Sequence, residues 1–303
     1  MSDLNDLIRQ LDQLETEQIN PDTVDIDQLP PLEIARKINT EDRKVADIVA
    51  SALEPIAKAA EHYAATLRGR GRVFTLGAGT SGRLGVLDAA ECPPTFGTDP
   101  EQIVGLISGG YATLVFSLEG VEDNRKAAIN DLKEKSLSEN DMVIGIAASN
   151  RTPYTLAGVE YASSIGCKTA FIICNAAGDL PLKPDVLIEL PVGPEAITGS
   201  TRMKSGTAQK MTLNMISTTA MVLLGKTYGN LMIDLQARSE KLRARSRKIL
   251  MDLLGLDLDA ANGLLSGAGG SVKLAIVMQK FNCTAEEARQ KLEQAGGFIS
   301  RIG

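Results

Sequence analysis

Five short runs of β-branched and apolar residues punctuate this chain, and their spacing limits what it can fold into. They occupy residues 72–76, 103–107, 142–147, 169–174 and 186–190. Segments of helical period lie between several of them, at residues 123–135 and 153–165. Continuous apolar strands joined by helices build a mostly parallel sheet with helices on both faces. The expected fold class is α/β. Ligands in such sheets bind beyond the carboxyl ends of the strands.

Composition narrows the function classes. The chain is 44% hydrophobic and 23% charged, which excludes a disordered polypeptide. Its 303 residues suggest about two domains. A net charge of −6 argues against nucleic acid as a partner, since a phosphate backbone demands a basic surface. The longest uncharged helical stretch lies between Lys210 and Lys226 and carries Thr212, Asn214 and Ser217. It is shorter than the roughly 20 residues a membrane span needs, so it reads as a buried helix or a subunit interface, with no membrane partner. The acidic N-terminus shows no signal-peptide pattern, and a cytoplasmic location is expected.

Four cysteines, Cys92, Cys167, Cys174 and Cys283, form no CxxC pair. With the single histidine, His62, they make no zinc site of ordinary spacing, and free buried thiols are expected. His62 sits in a helical segment, so acid–base work is expected of carboxylates instead. Residues 1–31 read as a short helix over 4–14 and an extended arm, either mobile or draped over a partner. Residues 32–248 read as the ligand-binding domain with flanking helices, the last part, 200–251, being long-period helix. Residues 249–303 read as a small helical domain, in which Thr284 and Glu287 form a capping box.

Three segments carry the chemistry. Gly77-Ala78-Gly79-Thr80-Ser81-Gly82-Arg83 directly follows the first strand. Its glycines let backbone N–H groups approach an anion, and the helix that follows adds its dipole. A dinucleotide would want an acid at the end of the second strand, where Ser108-Gly109-Gly110 stands. Thr80 and Ser81 suit a compact phosphate better. Ser149-Asn150-Arg151-Thr152-Pro153 follows the third strand and supplies hydroxyls beside the first loop. Thr198-Gly199-Ser200-Thr201-Arg202-Met203-Lys204 is rich in hydroxyls and cations where a helix begins.

These segments make the chain recognisable. The strand–glycine loop with a later Ser-x-x-Thr resembles the sugar isomerase (SIS) fold. LGAGTSGRLGVLDAAECPPTFG (76–97), GIAASNRTPY (145–154), TGSTRMKSGTAQK (198–210), GNLMIDL (229–235) and GGFI (296–299) are similar to the N-acetylmuramic acid 6-phosphate etherase family. The resemblance runs from about residue 32 to the C-terminus. It implies an SIS-type three-layer sandwich with a mostly parallel sheet and a small helical C-terminal domain, and a lyase of cell-wall amino sugar recycling. The implied reaction opens the ring, eliminates lactate across C2–C3 and adds water. It needs no metal or organic cofactor, and the implied assembly is a homodimer. Glu91, in Asp88-Ala89-Ala90-Glu91-Cys92-Pro93-Pro94, matches the family's proton donor. Pro93 and Pro94 are expected to end that helix just after Glu91. Glu122 matches the second catalytic carboxylate, with Glu119 competing. Thr80, Ser81, Gly82, Ser149, Asn150 and Thr152 are the expected phosphate ligands. Ser200, Arg202 and Lys204 are further binding candidates, and Glu195 a supporting one. A phosphosugar isomerase, or a phosphosugar-sensing regulator without turnover, is the alternative.

Overall fold

The β-rich runs become strands because each is apolar on both sides. The computed structural model describes residues 14–178, 180–235 and 239–303. Strands β1 (Val73–Gly77), β2 (Ile103–Ile107), β3 (Met142–Ile146), β4 (Lys168–Ile173) and β5 (Val186–Glu189) form one sheet in the order β2-β1-β3-β4-β5. The β1–β3, β3–β4 and β4–β5 pairs are parallel, with Gly77 level with Ile146. All five residues of β1, β2 and β3 are buried.

Helices cover both faces. Helices α1 (Pro31–Ser51), α2 (Leu53–Arg68) and α3 (Gly79–Phe96) precede β2, and α4 (Arg125–Glu134) and α5 (Pro153–Ser164) follow it. Phe74, Leu76, Val143, Phe171 and Ile173 share one core with Ala128 and Leu132 of α4 and Tyr154 and Ala157 of α5. On the other face α2 packs against β1, β3 and β5. Gly85 of α3 lies there too: a Cβ on it would fall 2.8 Å from Thr75 Oγ1 and 3.1 Å from Ile146 Cδ1. The α/β sandwich is as expected, and the five strands lie within one residue of their expected ends.

The chain divides into two compact units. One holds the described residues up to Ala89 with Val104–Ile216, and the other holds Ala90–Ile103 with Ser217–Gly303. The second unit therefore starts earlier than the helical domain expected from residue 249. The reason is its core, which joins Ile233 to Ile249, Leu250, Ala275, Ile276, Ala288 and Ile299. The long helical stretch over 200–251 is also interrupted. Helix α6 (Lys204–Leu223) stops before Gly225, whose φ is +69°. A small antiparallel hairpin, β6 (Thr227–Tyr228) and β7 (Leu231–Met232), separates it from α7 (Glu240–Leu254). Helices α8 (Leu258–Gly267), α9 (Val272–Phe281) and α10 (Ala285–Gln294) complete the unit, and the Thr284–Glu287 capping box is present. Among the described residues no helix is long and apolar enough to cross a membrane. The four cysteines are thiols outside any disulfide; Cys283 is half-buried and the others are buried.

The N-terminal arm needs correction. The helix expected over 4–14 lies, except for Leu14, outside the described residues. Residues 15–28 form three 3₁₀ turns hydrogen-bonded to their own chain. Gly199 N donates to Thr16 O (3.1 Å), and Thr23 Oγ1 donates to Ala196 O (2.9 Å). Asn20 Nδ2 donates to Glu41 Oε2 (2.9 Å). Buried Thr and Asn side chains find their partners within the fold, which fixes the segment.

Glu41 is the anchor of this region. It is 1% exposed and pairs with Lys204 Nζ at 2.7 Å, itself 2% exposed, and with Lys44 Nζ at 2.5 Å. Burial alone pushes its carboxyl up; hydrogen bonds from Lys204, Lys44 and Asn20 outweigh that and bring it down to about 2. A depressed carboxyl contributes stability above its ordinary value of 4.5 and loses it as pH falls toward 2. Lys204→Met is expected to take the buried partner from a carboxylate then left with Lys44 and Asn20, at a cost of up to about 3–5 kcal/mol in urea unfolding at pH 7. It is also expected to flatten the stability loss between pH 4.5 and 2; an unchanged acid profile would contradict the assignment.

Candidate active site

The strand order creates the site. The chain leaves β1, builds β2 on one side, and returns to build β3 on the other. At that reversal the loops after β1 and β3 splay apart and leave a crevice beyond their carboxyl ends. A cavity of about 230 Å³ lies there, a volume for one small molecule. Its floor is Ala78 to Ser81 after β1 and Ile146 to Ala148 after β3, with Thr152 and Thr201 on its wall. The far wall is Ser108, Thr113, Ser117, Leu118, Glu119, Val121 and Glu122.

The floor is built for an anion. Helix α3 starts at Gly79, so the first-turn N–H groups of Thr80 and Ser81 have no intrahelical acceptor. Helix α5 starts at Pro153, and its N-cap Thr152 makes no side-chain capping bond, leaving its hydroxyl to the cavity. Two helix N-termini meet at one place, each contributing positive dipole ends. Packing makes the approach possible. A Cβ on Gly82 would fall 2.5 Å from Gly77 O and 2.6 Å from Ile107 Cγ1, so only glycine lets α3 sit this close to the strand ends.

Of the expected ligands, Thr80, Ser81 and Thr152 line the cavity. Several others do not. Gly82 is committed to helix packing, and its N–H donates to Ala78 O (3.2 Å). Ser149 Oγ accepts from Arg151 N (3.3 Å) within its turn, and Asn150 Nδ2 donates to Ala177 O (2.6 Å). In the third segment Thr201 reaches the cavity, while Ser200 and the exposed Arg202 are not among its lining residues. The expectation that Lys204 is a binding cation is corrected by its buried pair with Glu41. Glu195, fully buried, caps the same helix: its carboxylate accepts from Lys204 N (2.8 Å), Ser205 N (2.9 Å) and Ser205 Oγ (2.7 Å).

The carboxylates separate. Glu122 is half-buried on a 3₁₀ turn, Val121–Asp123, and lines the cavity with no hydrogen-bond partner among the described residues. Glu119 lines it too and is exposed. Glu91 is exposed on α3 and belongs to the second compact unit. Its helix runs on through Pro93 and Pro94 to Phe96, beyond the expected stop. Prolines remove the bonds to the carbonyls four residues back, and the end closes instead through Gly97 N to Pro93 O (3.0 Å).

Two positioning groups escaped the sequence reading. Ser108 Oγ donates to Val121 O (2.6 Å), next to Glu122. Arg83 donates to Thr113 O (2.6 Å) and Leu114 O (3.2 Å), tying down the wall that carries both acids. The signal for Ser108 was its place: a hydroxyl at a strand end, like those after β1 and β3. No periodicity could have shown that Arg83 spends its charge on backbone carbonyls.

Comparison with known proteins follows this geometry. The model of the glucokinase regulatory protein N-terminal SIS domain matches residues 55–163. An N-acetylmuramic acid 6-phosphate etherase from Erwinia tasmaniensis is 50% identical over 289 residues, 95% of this chain and 94% of the relative. Another from Rhodopirellula baltica is 48% identical over 98% of both chains. The chain belongs to the N-acetylmuramic acid 6-phosphate etherase family. Among solved structures, a phosphoheptose isomerase from Neisseria gonorrhoeae aligns with a TM-score of 0.46 at 18% identity, covering 63% of this chain and 98% of its own. In this etherase-family chain the cavity lies where the strand order of the parallel sheet reverses.

Arg83→Met is expected to loosen residues 111–118 without unfolding the sheet, because the two carbonyls it holds become free. Hydrogen–deuterium exchange of those amides is expected to rise about tenfold, the equivalent of roughly 1.4 kcal/mol for a lost charge-assisted bond. Unchanged exchange would remove the positioning role.

Proposed function

We propose that this protein cleaves the lactyl ether of N-acetylmuramate 6-phosphate, giving N-acetylglucosamine 6-phosphate and D-lactate. What carries the reading is the near-full-length match to etherases at about half identity. The cavity supports it: a polar floor for one phosphate, and an uncommitted carboxylate across from it.

The phosphate sits on the first-turn N–H groups of α3 and the hydroxyls of Thr80, Ser81 and Thr152. That places the sugar's remaining atoms toward the wall of Glu119 and Glu122. With the ring open, the C1 aldehyde acidifies the C2 hydrogen. Glu122 takes that proton as the C3–O bond breaks, and the electron pair of C2–H becomes the C2–C3 double bond. Lactate leaves on its ether oxygen and takes a proton from Glu91. Water then adds across the double bond, its oxygen to C3 and a proton to C2. Glu91 is supported by the resemblance of its Asp88–Pro94 surroundings to the family pattern, and Glu122 by its place on the cavity wall. A proton-transfer role of this kind contributes about 10²–10⁴-fold. The exposed Val222 and Leu223 on α6, within the uncharged stretch, support burial in a homodimer.

Incubation with N-acetylmuramate 6-phosphate is expected to release D-lactate. An isomerase would leave the lactyl ether intact, and a regulator would bind the sugar unchanged. Glu122→Gln is expected to abolish both lactate release and exchange of the C2 hydrogen in D₂O, read by NMR. Glu91→Gln is expected to lose lactate release while still exchanging C2. Wild-type C2 exchange in Glu122→Gln would transfer the base role to Glu119 or Glu91.

A further inference from the structure

Behind the cavity floor lies a buried polar contact that the mechanism leaves unused. Ser81 Oγ donates to Gln209 Oε1 at 3.0 Å, across from α3 to α6. Gln209 is 1% exposed, and among the described residues its buried Nε2 has no hydrogen bond to oxygen or nitrogen, only the soft sulfur of Cys174 near its carboxamide. In this arrangement the Ser81 proton points away from the cavity. A phosphate, which only accepts, would meet oxygen lone pairs instead of a donor.

The carboxamide has a second setting of the same shape. Turned over about its last torsion, its NH₂ donates to Ser81 Oγ, and the hydroxyl proton swings toward the cavity. The oxygen then takes the place of Nε2, beside the Cys174 sulfur. Gln209 is one of the groups beside Cys174, a fully buried residue just after β4. The Cys174 thiol donates to Ser205 O over a long 3.6 Å, so it has another acceptor at little loss. Burial pushes that thiol up to about 12, so it keeps its proton to give. In the turned setting the Cys174 thiol can donate to Oε1 and one carboxamide N–H to Ser81 Oγ, and the chain ends with a donor facing the ligand.

We infer that Gln209 is a positioning residue for the phosphate site: its carboxamide sets the direction of the Ser81 hydroxyl, and the NH₂-inward setting is the one that binds phosphate. The inference rests on the phosphate-site reading above and adds a residue that never touches the ligand.

Inorganic phosphate serves as the probe, as a competitive inhibitor of lactate release. Gln209→Met is expected to raise its Ki and the substrate KM together, about tenfold, the scale of one hydrogen bond to a charged ligand, with kcat changing by less. Ser81→Ala is expected to weaken phosphate similarly, and the double variant to lose no more than either single one, because the two act as a unit. Gln209→Glu gives the decisive pH profile. Its carboxylate can only accept, so it holds the Ser81 proton inward. Once protonated it can donate, so its deficit relative to the wild type is expected to shrink as pH falls. That readout also serves if Gln209→Met does not fold. If Ser81→Ala weakens phosphate but neither Gln209 variant does, the positioning role is overturned and the phosphate site stands. A pH-independent deficit in Gln209→Glu overturns it equally. If Ser81→Ala leaves phosphate inhibition unchanged, the phosphate-site reading falls and the inference with it.

Discussion

Lys204 is held at both ends, and much of the first unit is arranged around that grip. Its ammonium meets Glu41 at 2.7 Å, and its backbone N–H meets Glu195 at 2.8 Å. Two buried carboxylates thus sit at the start of α6, one neutralised by the lysine and one by the helix N-terminus. Neither would be tolerated alone, since an unpaired buried charge costs far more than a paired one gains. Glu41 also takes Asn20, which fastens the N-terminal segment, so one cluster locks α1, α6 and the chain's first turns together. Fixing the start of α6 fixes Thr201 at the cavity and Gln209 behind it.

The cavity itself follows from strand order more than from any single residue. With β1 and β3 adjacent and β2 beyond β1, the loops after β1 and β3 have no covering connection, and their helices begin pointing at the gap. Small residues keep that geometry tight: Gly82 lets α3 lie against Gly77 and Ile107. The opposite wall is different in kind. It is a loop with little secondary structure, held by Arg83 and Ser108 through backbone carbonyls. A rigid floor for the constant phosphate and a separately braced wall for the reacting carbons is a sensible division for elimination chemistry.

Much of this was legible beforehand. The strands read correctly because a doubly buried parallel strand is a continuous apolar run, as in Val73–Gly77 and Met142–Ile146. Thr80, Ser81, Thr152 and Glu122, singled out because they follow strand ends or match a family pattern, line one cavity. Misreadings came where a residue type has two uses. Lys204 has the charge a phosphate wants, and its burial with Glu41 depends on a partner 163 residues away. Ser149 and Asn150 carry suitable groups, but Ser149 Oγ accepts a bond within its own turn and Asn150 donates to Ala177, 27 residues on, and neither lines the cavity. Pro93 and Pro94 are helix breakers by rule, yet near a helix end only a few bonds are at stake.

The sequence by itself determined the layer class, the strand ends, the polar loops and the family, because each is written in residues close together in the chain. Hydrophobic period and glycine–hydroxyl loops are local signals. What only the tertiary structure decided was which polar groups remain free. Lys204, Glu195, Arg83 and Gln209 all bear groups capable of meeting a sugar phosphate. The fold gives each a partner elsewhere, and leaves Glu122 facing the cavity without one among the described residues. Hydrogen-bond capacity belongs to a residue, but its use is settled by what folding brings within 3 Å, often from more than a hundred residues away.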